Sequence, residues 1–212
     1  MLPSQFKPIT PEDFLPPARE AAFFLRNAIA QAKHHGAALK FSIHGPPGTG
    51  KSQLARFVAR ELAVPKWSQT ILNGTQLKIE EIEKLRANLH LTDLFGEYRI
   101  LIIDEFDVIA KNPTAQKALY SFLDEVEEHP KTAVVCTCNS DYHELQPALQ
   151  TRYQPIALTN TPTEILAAWL ETKWGLPHYD AQMIALGSAG NVRAAGLDAT
   201  SFLQRQPLPV AA

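Results

Sequence analysis

The sequence predicts an α/β fold, a doubly wound parallel sheet of five strands followed by a small C-terminal helical lid. Three observations carry that prediction. Up to residue 161, short apolar runs alternate with amphipathic stretches of helical spacing, the pattern of a parallel sheet covered on both faces. A glycine-rich run, Gly45-Pro46-Pro47-Gly48-Thr49-Gly50-Lys51-Ser52, stands between one apolar run and one helical stretch. After Thr159-Asn160-Thr161-Pro162 no strand signal remains. The expected division is therefore an α/β domain over 1–161, including an extended lead-in, a helical lid over 162–205 and a tail over 206–212.

Taken in order, Pro3, Pro8, Pro11, Pro16 and Pro17 leave residues 1–17 without a helical period, so they read as an extended lead-in lying over the domain. Ala18 to His35 places Ala22, Leu25, Ile29 and Ala32 at helical spacing and meets Gly36 as a C-cap. Leu39–His44 is the first strand, and the helix after the glycine-rich run extends to about Ala63, stopped by Pro65. Ser68 to Asn73 is the second strand, ended by Gly74, and Ile79 to Asn88 an amphipathic helix. Arg99-Ile100-Leu101-Ile102-Ile103-Asp104 is a near-continuous apolar run closing on an acid, as expected of a strand buried on both faces. Thr114 to Glu128 carries an apolar stripe of Ala115, Ala118, Leu119, Phe122 and Val126. Thr132–Cys138 and Gln154–Leu158 complete the strands. In the lid, Thr163 is the expected N-cap of a helix closed by Gly175 and Pro177, with two further helices over 181–186 and 192–203.

Composition narrows the function classes. Hydrophobic residues make up 45% and charged residues 20% of 212, ordinary for a soluble globular chain. No apolar run reaches the roughly 18 residues of a membrane span, and the first residues lack the apolar core of a signal peptide. The formal charge of −2 supplies no global attraction to nucleic acid, so any DNA contact rests on a local patch. The basic residues Arg56, Arg60, Lys78, Lys84, Arg86, Lys111 and Lys117 are dispersed and form no readable stripe. Cys136 and Cys138, two apart in an apolar run, share one strand face. They read as small buried apolar residues in a reducing compartment, and the expected location is the cytoplasm.

The glycine-rich run has the form G-x-x-x-x-G-K-[ST] in a strand–loop–helix setting. Glycines let backbone N–H groups turn inward where a Cβ would block approach to a phosphate, and the helix N-terminus adds its positive dipole end. Lys51 can reach the β/γ-phosphates and the Ser52 hydroxyl can ligate Mg²⁺. ATP and Mg²⁺ are the expected ligands. The expected nucleotide-contacting set is Gly45, Pro46, Pro47, Gly48, Thr49, Gly50, Lys51, Ser52 and Gln53. Asp104 and Glu105 end the most apolar strand at the carboxyl edge, facing the same crevice as the loop. There Asp104 can hold Mg²⁺ with Ser52, and Glu105 can polarise the attacking water. Asp107, three residues on, reads as a solvated loop acid.

At this point the chain resembles the AAA+ ATPases, on Gly45–Ser52 together with Ile100–Glu105. Further matches are to their clamp-loader small subunits, the replication factor C-like clade. Leu72-Asn73-Gly74-Thr75 is similar to the Leu-Asn-Ala-Ser stretch of that clade, and Thr114-Ala115-Gln116-Lys117-Ala118-Leu119 to its Ala-Gln-x-Ala-Leu helix. Thr137-Cys138-Asn139 matches its sensor-1 Asn, Pro147 to Tyr153 its Ala-Leu-Gln-Ser-Arg-Cys segment, and Gly190-Asn191-Val192-Arg193 the start of its sensor-2 helix. The likeness spans about residues 6 to 204 with every signature in order. It implies that Asn139 orients the attacking water or touches the γ-phosphate, against a strand-ending Asn in a turn. It implies that Arg152 acts in trans as an arginine finger, against an ordinary solvated Arg. It implies that Arg193 bends over the γ-phosphate from the lid, against a helix-surface salt bridge. Asn73 is either a switch that holds Glu105 away from water or a strand-end cap.

The resemblance also implies a homo- or hetero-oligomer with other AAA+ subunits, acting on DNA or a DNA-bound machine and on no membrane. Two features depart from the clamp-loader pattern: three lid helices where the family usually has four, and no collar segment after the lid. An ATP-gated adaptor that forms filaments or spirals, such as a helicase loader or transposition regulator, is the alternative, as is a protein remodeller. Gly74-Thr75-Gln76-Leu77-Lys78-Ile79 has no aromatic residue, which argues mildly against a threading unfoldase.

Overall fold

The structure, a computed structural model, describes residues 7–89, 98–111, 113–141, 143 and 147–205; the expected tail and the first residues of the lead-in lie outside them. Five strands, β1 (Leu39–His44), β2 (Gln69–Asn73), β3 (Arg99–Asp104), β4 (Thr132–Cys138) and β5 (Gln154–Ala157), form one sheet in the order β2-β3-β4-β1-β5. Every pairing is parallel. Parallel neighbours need crossovers, and these are supplied by α2 (Lys51–Glu61), α3 (Ile79–Leu89) and α4 (Pro113–Glu128), while α1 (Ala18–His35) precedes β1. Pro155 is tolerated because β5 is an edge strand bonded only to β1.

Strand alternation divides the core. Ile100 and Ile102 of β3 join Phe41, Ile43, Leu25, Phe57 and Val135 on one face. Leu101 and Ile103 join Val134, Leu119, Phe122 and Cys136 on the other. Both cysteines are fully buried on that second face; burial pushes the Cys136 thiol up to about 12, and its S–H donates to the Tyr153 hydroxyl at 3.1 Å. After β5, α6 (Thr163–Trp174), α7 (His178–Ser188) and α8 (Val192–Arg205) build a third cluster around Leu166, Leu170, Trp174 and Ala185. The lead-in bridges two clusters. Phe14 is buried edge-on to Phe57 at 5.8 Å, while its neighbour Leu15 packs against the lid cluster.

The strands fall where the apolar runs put them to within one residue, and α1, α3 and α8 begin where expected, but the starts of α6 and α7 differ. Pro162, not Thr163, is the N-cap of α6: its extended ψ of 141° leads into the first turn, and its carbonyl accepts from Leu166 N at 3.0 Å. Likewise α7 begins three residues before Ala181, because the Pro177 carbonyl accepts the Ala181 N–H. Short turns at Pro11–Asp13, Phe106–Lys111 and Pro147–Gln150 (α5) had no periodic signal. No helix among the described residues is long and apolar enough to cross a membrane.

Candidate active site

The phosphate loop joins the end of β1 to the start of α2. Gly45 and Gly48 take φ of 138° and 81°, values that L side chains avoid, and the N-cap Gly50 leaves the first turn of α2, with Lys51, Ser52 and Gln53, without a side-chain cap. Lys51 is buried, and its ammonium donates to the Gly45 and Pro46 carbonyls at 2.7 and 2.8 Å. Thr49 Oγ1 braces the same loop by donating to Pro46 O at 2.9 Å. Burial lowers the Lys51 pKa, while the charges of Asp107 and Asp104 push it back up. The loop thus holds a partly desolvated cation against its own carbonyls, beside the uncapped N–H groups of a helix start, which is what an anionic phosphate chain needs.

Across the crevice, Ser52 Oγ donates to both oxygens of Asp104, at 3.0 and 3.1 Å. Thr137 Oγ1 also donates to Asp104, and accepts the Glu105 N–H at 3.3 Å. A hydroxyl and a carboxylate in contact form the hard oxygen pair that suits Mg²⁺, an ion that takes few protein ligands when it shares phosphates; the residues fit that ion. Glu105 is exposed and sits at φ 56°, a costly left-handed conformation for a non-glycine residue. Its Oε2 accepts from Asn73 Nδ2 at 2.7 Å. Asn73 Oδ1 meanwhile accepts from Thr75 N at 3.0 Å and Thr75 Oγ1 at 2.9 Å. The two expectations for Asn73 describe one side chain: it caps the turn and it grips Glu105.

Asn139 follows the end of β4 with its side chain exposed, and its N–H donates to both oxygens of Asp107 at 3.1 and 2.9 Å. Ser140 adds its Oγ at 2.7 Å and its N–H at 3.3 Å. The reading of Asp107 as a solvated loop acid is therefore corrected. Burial opposes its ionisation, yet these donors outweigh burial and hold its carboxyl below the usual value. Behind it, His44 Nδ1 lies 3.3 Å from Ser140 O and Nε2 lies 2.6 Å from Ser42 Oγ, with burial lowering the imidazole pKa.

Arg193, exposed at the start of α8, is close enough for its charge to depress the Lys51 pKa. Its neighbour Asn191 caps α8 by accepting from Ala194 N at 3.0 Å. The same Oδ1 would stand 1.8 Å from a Cβ built on Gly48, so the lid rests on the phosphate loop. Arg152 is engaged elsewhere. It forms a two-point ion pair with Asp124 of α4 at 2.8 and 2.8 Å, donates to Ala148 O at 2.7 Å and lies 5.4 Å over the Tyr120 ring. The structure thus brings together Lys51, Ser52, Asp104, Glu105 and Asn73, sets Asn139 and Arg193 beside them, and holds Arg152 on α4. Thr137, Asp107 and Asp124 were missed as partners. Only Thr137 carried a signal, a polar residue inside a strand buried at every position.

A family model, described as the ATPase family associated with various cellular activities (AAA), matches residues 41–168. Among curated proteins, a probable replication factor C subunit 5 of Dictyostelium discoideum is 30% identical over 132 residues, 58% of this chain and 37% of its own length. The Holliday junction branch migration complex subunit RuvB of Paracoccus denitrificans is 34% identical over 118 residues, 55% of this chain and 31% of its own. The chain thus spans about a third of each relative. Among solved structures, the RuvB branch migration motor of Thermotoga maritima superposes with a TM-score of 0.76 at 22% identity, covering 95% of this chain and 66% of that one. That likeness is one of fold.

Proposed function

The chain belongs to the AAA family of ATPases, and from that premise we propose that it is a Mg²⁺-dependent ATP-hydrolysing switch that oligomerises and acts on DNA or a DNA-bound machine. The observation that carries the proposal is the pairing at the crevice: Ser52 on Asp104 beside the loop, and Asn73 on Glu105 at the next strand end. Loop N–H groups and Lys51 bind the β- and γ-phosphates. Ser52 and Asp104 would hold Mg²⁺, which offsets phosphate charge when bound. Glu105, once released by Asn73, accepts a proton from the water that attacks the γ-phosphorus as the bond to the β-phosphate oxygen breaks, giving ADP and phosphate. Asn139 orients that water, Arg193 reaches in from the lid, and Arg152 of a neighbouring subunit offsets charge in the transition state.

The DNA-linked role draws on the relatives, whose names place them in replication and branch migration. Purified protein is expected to hydrolyse ATP, and both Lys51→Ala and Glu105→Gln to reduce turnover at least about a hundredfold. Full activity in both variants would sink the assignment. Rates with single-stranded DNA, duplex DNA and no DNA test the partner class. Stimulation by a protein but not by either DNA would overturn the DNA-linked part and leave the ATPase standing.

A further inference from the structure

Asp107 is where three parts of the site meet. It lies in the turn Phe106–Lys111, directly after the strained Glu105, so its position is tied to the end of β3. Its carboxylate takes four donor contacts from two consecutive residues 32 and 33 positions away, at 2.7 to 3.3 Å. Those residues follow β4, where the sheet no longer supplies acceptors for their N–H groups. The Ser140 carbonyl faces His44, the last residue before the phosphate loop. The Asp107 charge also reaches Lys51, where it ranks ahead of Asp104 among the charges opposing burial. A solvated acid would have water for its donors; this one has three from the protein, the Asn139 and Ser140 N–H groups and the Ser140 hydroxyl.

We propose that Asp107 is a positioning residue: it holds the backbone of Asn139 and Ser140 so that the Asn139 side chain meets the attacking water, and it couples that placement to the phosphate loop. The proposal rests on the functional reading above, in which Asn139 orients water. A side chain held through its own backbone N–H by a carboxylate cannot drift without losing a charge-assisted hydrogen bond, here shared between both Asp107 oxygens. Loss of position at this range is costly, since a shift of about 1 Å at a reacting group can lower a rate on the order of a hundredfold.

Asp107→Asn, which keeps the size and one acceptor but loses the charge and the second acceptor, tests the proposal in the full chain. The expected result is a kcat lowered about tenfold or more, with the KM for ATP and the affinity for a non-hydrolysable ATP analogue within about twofold of wild type. In an Asn139→Ala background the same change should have little further effect, and amide exchange at Asn139 and Ser140 should speed up. Ser140→Ala, which removes one hydroxyl donor and leaves the backbone donors, should give a smaller loss of the same kind if Asp107→Asn fails to fold. An unchanged kcat, or losses that multiply independently with Asn139→Ala, would overturn the proposal. A wild-type protein without hydrolysis would instead overturn the functional reading, and faster exchange at 139 and 140 would still report the contact.

Discussion

Asn73 is oriented by what its oxygen already does. With Oδ1 committed to Thr75 N and Thr75 Oγ1, the NH₂ group must face Glu105, because an amide has one acceptor end and one donor end. Asn73→Asp separates the two jobs: a carboxylate keeps the cap on Thr75 but repels Glu105. If the contact restrains Glu105, basal ATPase should rise about threefold to tenfold in Asn73→Asp, a change of about 1 kcal/mol in barrier, with thermal unfolding within a few degrees of wild type. A basal rate equal to wild type would show that the grip is not a restraint. The sequence left switch and cap as alternatives because strand-end position alone cannot tell which end of the amide points where. Asp107 was misread for a related reason. Its donors lie 32 and 33 residues away, just past the end of β4, and no local pattern around Ile103-Asp104-Glu105-Phe106-Asp107 announces them. Lys51, Ser52 and Asp104 were legible because their chemistry is written in contiguous motifs.

At the scale of elements, buried parallel strands were the easiest to read. β1, β3 and β4 match their apolar runs to the residue, since both faces of each strand are covered and their central positions are apolar or small, with charged residues such as Arg99 and Asp104 only towards the strand ends. The starts of α6 and α7 were harder, because a proline carbonyl closing the first turn leaves no side-chain signature. The joint between β1, the phosphate loop and β5 is tighter than either strand pattern suggests. Leu158 N donates to His44 O at 2.8 Å, and a Cβ on Gly45 would stand 2.2 Å from Leu158 O at a backbone φ of 138°. Gly45→Ala therefore meets both a disfavoured conformation and a backbone clash, at an expected cost of about 2–4 kcal/mol. Urea unfolding should register that loss, and nucleotide affinity should fall with it as the loop is pushed off β5. Gly36→Ala is the control: Gly36 has φ 66° and nothing within 4 Å of a built Cβ, so its cost should stay near 1 kcal/mol. Equal costs at the two sites would mean that the β5 contact yields without strain.

At the scale of the whole molecule, the site is closed from two directions and completed, on the functional reading, by a third. The lead-in ties the sheet to the lid through Phe14 and Leu15, and Asn191 brings the lid down on Gly48. Arg152 faces another way, with its guanidinium spread over Asp124 and Tyr120. That pair is open to water, with the Asp124 side chain 55% exposed, and an exposed ion pair contributes only about 0.2–1 kcal/mol. A neighbour's triphosphate, more highly charged and less hydrated within an interface, can displace such a carboxylate at little cost. On the functional reading, Asp124 is a resting place for the finger rather than a permanent partner. Subunits carrying Glu105→Gln and subunits carrying Arg152→Ala should each be inactive alone. Mixed, they create interfaces in which an intact Glu105 faces an intact Arg152, and part of the hydrolysis should return. Placing Asp124→Ala on the Glu105→Gln subunit should preserve that recovery, because the finger no longer has to leave a bound carboxylate. Absence of recovery at every mixing ratio, in preparations that still form mixed oligomers, would remove Arg152 from the trans role and leave it a structural contact of α4.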